Sequence, residues 1–63
     1  MTELADIREA TAALRISRQT LRRKMRSGEI AYVRIGDRVL FRQEDLDEFV
    51  ARNLRRDNAE EEK

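Results

Sequence analysis

Arg18, Arg22, Arg23 and Arg26, with Gln19 and Lys24 among them, are the side chains whose type and spacing can do chemistry in this chain. A guanidinium presents its donors in a planar fork that fits a phosphate or the edge of a guanine, and a glutamine amide fits the edge of an adenine. At about 100° per residue, a helix over Ser17–Ser27 puts Leu21 and Met25 on one side and Gln19, Arg22, Arg23 and Arg26 within one arc on the other. The first side belongs on a core. The second is either a surface for a polyanion or an exposed face solvated by its own charges.

Other chemistries lack their parts. The 63 residues contain no cysteine and no histidine, which removes thiolate and imidazole metal ligands, disulfides and the commonest general base. Carboxylates are plentiful, but 13 acids beside 14 bases in so short a chain read as surface charge and not as a catalytic pair. No enzyme, metal, cofactor or small-molecule ligand is expected. The net charge of +1 averages unlike segments. Arg15–Arg42 holds nine bases against two acids, whereas residues 57–63 hold one lysine against four acids. The positive field is therefore local, as a polyanion footprint requires. No apolar run approaches the ~20 residues of a membrane span, and the N-terminus lacks the apolar stretch of a signal peptide, so a cytoplasmic protein is expected.

The elements that must position the basic helix can be read around it. Asp6 with Glu9 three residues on is a helix-start signal, and it predicts a first helix over Asp6–Leu14 with Ile7, Ala10, Ala13 and Leu14 inward. Its small residues permit a close helix crossing. Arg15-Ile16 makes the turn, with Ile16 plugging the corner. Ser17 is suited to cap the second helix and Gly28 to end it in a left-handed conformation.

After Gly28 the pattern alternates. Val33, Ile35, Val39 and Phe41 are expected inward, with Tyr32, Arg34, Arg38, Leu40 and Arg42 outward and Gly36-Asp37 as a two-residue hairpin turn. Met1–Ala5 reads as a lead-in only. Glu44, Asp45 and Asp47 open a last helix at its positive end, and Leu46, Phe49, Val50 and Leu54 make its inner stripe. The expected core is Leu21, Met25, Val39, Phe41, Leu46, Phe49 and Val50. The result is an α+β, mainly α, winged helix-turn-helix in the order helix, helix, β-hairpin, helix, forming one domain over residues 1–56. Residues 57–63 form an acidic tail expected to be disordered.

Five separated blocks carry a resemblance: Arg8-Glu9-Ala10, Ile16-Ser17-Arg18-Gln19-Thr20-Leu21, Arg26-Ser27-Gly28-Glu29-Ile30, Val33-Arg34-Ile35-Gly36 and Arg42-Gln43-Glu44-Asp45-Leu46. Across roughly Leu4–Val50 the chain resembles the phage excisionases, the recombination directionality factors among MerR-like winged-helix proteins. Arg15, Lys24 and Ala31 depart from the pattern, standing where the family more often has a glycine, an apolar residue and a proline.

The resemblance implies that helix two enters the major groove of double-stranded DNA. Gln19, Arg22 and Arg23 would then read base edges, with Arg18, Thr20 and Arg26 beside them. The wing (Arg34, Gly36, Asp37, Arg38) would reach the minor groove or its phosphates. It also implies that copies lie side by side on attachment-site DNA and bend it, so that a tyrosine integrase assembles for excision of a prophage. Leu40 and Leu54 are then candidates for contact with another copy or with integrase. Two further readings stay open: a small phage or plasmid MerR-like transcription regulator on the same fold, and an interaction module whose basic face meets an acidic protein.

Overall fold

The computed structural model describes residues 3–57. It contains β1 (Leu4–Asp6), α1 (Ile7–Leu14), α2 (Arg18–Arg26), β2 (Val33–Ile35), β3 (Arg38–Arg42) and α3 (Gln43–Arg52). Three helices and a three-stranded antiparallel sheet, ordered β1-β3-β2, make a winged helix-turn-helix.

The helix starts follow the sequence signals. Asp6 caps α1 with its side chain, accepting from the Glu9 N–H at 2.8 Å, while its own N–H donates to Glu9 Oε1 at 2.9 Å. Ser17 Oγ accepts from the Thr20 N–H at 3.0 Å and caps α2. Between them Arg15 takes the left-handed conformation, φ 60° and ψ 43°, and Ile16 tucks against the core. Gly28 ends α2 at φ 81°. The core that holds these elements is Ala10, Leu21, Ile30, Phe41, Leu46 and Phe49, with Leu21 and Phe41 fully buried. Ile7, Leu14, Met25 and Val39 pack around it, but Ala13 is exposed and not inward as expected.

Three expectations are corrected. First, Leu4–Asp6 is a strand and not a lead-in: it pairs with β3 in the register Leu4↔Arg42, Ala5↔Phe41, Asp6↔Leu40. A strand of three residues offers too little alternation to be seen in sequence.

Second, Val33 and Ile35 do not share the inner face with Val39 and Phe41. A two-residue turn makes Ile35 and Arg38 directly opposed, and opposed residues lie on one face of a sheet. Val33 accordingly sits opposite Leu40, on the face away from the core, and Ile35 is 55 % exposed, whereas Arg34, expected outward with Arg38, sits opposite Val39 and shares its face. Leu40 does point outward as expected, yet it is only 9 % exposed because it lies in the central strand between Asp6 and Val33. It offers little surface to another protein.

Third, α3 is rotated relative to the expected stripe. Asp45, expected only as a first-turn acid, is buried, and Val50, expected in the core, is 54 % exposed. The buried carboxylate is paired. Arg42, the last residue of β3, donates from Nε and Nη2 to the two Asp45 carboxylate oxygens at 3.0 and 2.6 Å, and its N–H donates to Asp45 Oδ2 at 3.1 Å. These bonds satisfy the buried Asp45 carboxylate and link the end of β3 to the first turn of α3. The Arg42 pairing holds the Asp45 carboxyl below the usual carboxylate range against the opposing effect of burial, and raises Arg42 in turn. Leu54 lies beyond the end of α3 and is exposed. Apart from Asp57, the acidic tail lies outside the described residues.

Candidate nucleic-acid interface

The core side chains decide what α2 can present. With Leu21 buried and Met25 half-buried, the exposed arc that begins beside Met25 carries Arg18, Arg22, Arg26, Gln19 and Arg23 in angular order, spanning about 140° at helical spacing. All five are exposed. Thr20 is placed differently: it lies past the edge of this arc, half-buried, with its hydroxyl accepting from Ser17 Oγ at 3.0 Å. Its position is that of a residue in the capping turn. Lys24 also leaves the arc, its stem half-buried and its ammonium 3.1 Å from Glu29 Oε1. Glu29 is held below the usual carboxylate range by hydrogen bonds from the Ser27 hydroxyl and the Lys24 ammonium.

The wing comes to the Arg18 and Arg22 flank of this arc. An open groove of about 280 Å³ is lined by Arg18 and Arg22 of α2, Arg38 and Val39 of β3, and Asp6, Ile7 and Arg8 at the start of α1. Four guanidinium groups therefore converge on one concavity. The single carboxylate there, Asp6, has one oxygen occupied by its helix cap. Gly36, with φ 60°, and Asp37 form the tip beyond the groove. A positive φ at the first turn position only is the pattern of a type II′ turn, whose twist matches the strands it joins. Arg34, Gly36 and Asp37 are exposed at this tip but do not line the groove, and neither do Gln19, Arg23 and Arg26.

Charge pairing separates two kinds of cation. Lys24, Arg42 and Arg52 each have a carboxylate within 4.0 Å: Glu29, Glu44 with Asp45, and Glu48. Among the described residues, Arg8, Arg18, Arg22, Arg23, Arg26, Arg34 and Arg38 form no salt bridge. The paired cations are in local contacts within the fold, and most of the unpaired ones collect around α2 and the wing; among the described residues Arg15, Arg55 and Arg56 also form no salt bridge. Such a surface attracts a polyanion without first breaking internal pairs.

Arg8 is the groove residue that sequence reasoning missed. Nothing in the periodicity of α1 marks it. Only the crossing of α1 over α2 brings it beside Arg18 and Arg22.

A family model described as a helix-turn-helix domain matches residues 6–54, most of the chain. The chain belongs to this family. It is a DNA-binding family that includes excisionase-like proteins, and membership of it implies sequence-specific binding to double-stranded DNA. Helix-turn-helix domains are typically not enzymes. No curated protein and no solved structure gives a significant match. Among the described residues no helix is long and apolar enough to cross a membrane, and no cluster of acidic side chains could hold a metal ion.

Proposed function

We propose that this helix-turn-helix protein is an excisionase-type architectural factor, one that binds and bends duplex DNA at an attachment site so that a tyrosine integrase acts toward excision. The groove lined by Arg18 and Arg22 of α2 and Arg38 of β3 supports this reading, because α2 and the wing share one surface. A helix in the major groove and a wing on the neighbouring backbone hold the duplex at two points, and that is the arrangement by which a small protein can impose a bend. In this reading Gln19, Arg22 and Arg23 face base edges, Arg18, Arg26 and Arg8 position the helix on phosphates, and Arg34 and Arg38 act from the wing. One such unit covers a short site, so useful affinity comes from several copies on one DNA arm or from a partner already bound.

The test is bending. Arg38→Ala is expected to weaken binding and to reduce the bend measured with fragments carrying the site at different positions. An unaltered bend would remove the wing from the mechanism. A single complex confined to a promoter, without bending, would favour a transcription regulator.

A further inference from the structure

Across α1 from the basic groove lies a second concavity of about 250 Å³ with the opposite character. Its apolar walls include Leu4, Ala13, Phe41 and Leu46, and Glu3 and Glu9 stand at its edge. Helical spacing explains the segregation: Glu9 and Ala13 point to one flank of α1 while Arg8 points to the other. Duplex in the basic groove therefore leaves this pocket open. One oxygen of Glu9 accepts the Asp6 N–H, and the other has no hydrogen-bond partner among the described residues. The pocket thus fits an apolar side chain that brings positive charge with it.

The chain itself displays such a segment. Leu54, 58 % exposed, stands just past the end of α3 and is followed by Arg55 and Arg56, both exposed. Among the described residues, Arg55 donates only to the backbone carbonyls of Arg52 and Leu54, at 3.5 and 3.3 Å, and no carboxylate lies within 4.0 Å of it. The segment cannot serve its own pocket. Leu46 lies in the pocket wall near the start of α3, and Leu54 is eight residues on, about 12 Å along the helix axis.

We propose that Leu54-Arg55-Arg56 of one copy docks in the Glu3/Glu9 pocket of a second copy, Leu54 on the apolar wall and the guanidinium groups against the two carboxylates. The contact is head-to-tail, so it repeats without closing and can extend along a duplex. This deepens the proposed assembly of copies on DNA, and its use rests on that reading. A contact this small is weak in free solution and gains its effect when DNA holds neighbours at high local concentration.

Because the chain has no native cysteine, the contact can be trapped cleanly. Full-length Ala13→Cys and Asp57→Cys proteins are mixed in equal amounts at millimolar concentration without DNA, oxidised, and the linked species resolved by mass. The ratio of mixed to like-with-like disulfides is expected to exceed its statistical value by about tenfold, and adding Leu54→Asp to the Asp57→Cys protein is expected to abolish the excess. A statistical mixture of the three dimers would overturn the proposal, as would an excess indifferent to Leu54→Asp. The DNA-free format separates this result from any failure of the DNA reading.

Discussion

Arg15 holds φ 60° and ψ 43° at the turn between α1 and α2, a conformation that costs a residue with a Cβ about 1–2 kcal/mol and glycine much less. Arg15→Gly is therefore expected to stabilise the fold by about 1 kcal/mol, raising the thermal midpoint by about 4–8 °C. Arg15→Ala, which keeps the Cβ, should bring no such gain; equal midpoints for the two variants would show that the backbone is relaxed here. An arginine kept in a strained turn, on a chain whose unpaired arginines gather nearby, is consistent with a second use on a phosphate backbone. The binding residues can be sorted in the same way. Arg23→Ala is expected to cost about 1–3 kcal/mol on a specific site and little on random duplex, if it reads a base. Arg8→Ala should weaken both duplexes alike and reduce the salt slope by about one. Titration of the two variants on both duplexes at several salt concentrations checks the pair, and equal losses for Arg23→Ala on the two duplexes would make it a phosphate contact. Of these residues the helix-two arginines were legible from spacing. Arg8 was not, because its role depends on how two helices cross.

At the scale of elements, the junction between β3 and α3 depends on Arg42 and Asp45. The Asp45 carboxyl is held below its ordinary range by Arg42, so its contribution to stability is present above the unfolded-state value and is lost as pH falls through the lower folded value. Acid unfolding should show that loss, and Asp45→Asn should flatten the acid limb while lowering stability at neutral pH by about 2 kcal/mol. Glu44→Gln, which removes only the exposed partner of Arg42, is expected to change stability by less than about 0.5 kcal/mol. If the two variants unfold at the same denaturant concentration, the buried pair does not set α3 on the sheet. This pair also marks the limit of periodic reading. The pattern Leu46, Phe49, Val50 gave α3 its existence and nearly its face, but the buried face includes Asp45, whose burial depends on a partner the apolar pattern does not show, and leaves Val50 exposed. The wing behaved likewise. Alternation located both strands and Gly36-Asp37 located the turn, yet the two-residue loop itself forces Ile35 to share a face with Arg38, a pairing constraint stronger than the wish to bury four apolar residues together.

For the whole molecule, the organising feature is a division of charge. Cations with carboxylate partners tie α2 to its following loop, β3 to α3, and successive turns of α3; most of the arginines without a salt bridge among the described residues surround α2 and the wing; and two glutamates edge a pocket on the other flank of α1. A small domain with little core to spare keeps its stabilising pairs away from its binding surface. The positive field over Arg15–Arg42 was visible in the sequence, and so was the order of helices and wing. The pairing that sorts the cations was hidden, because a salt bridge such as Arg42 with Asp45 or Lys24 with Glu29 has meaning only once the local turns are formed. The central claim, that the α2 and wing surface binds duplex DNA and bends it, is tested most directly by an electrophoretic titration on attachment-site DNA from the source element, with the site placed at several positions along the fragment. The account predicts a ladder of complexes whose mobility depends on the position of the site. Absence of any shift at low salt would contradict it.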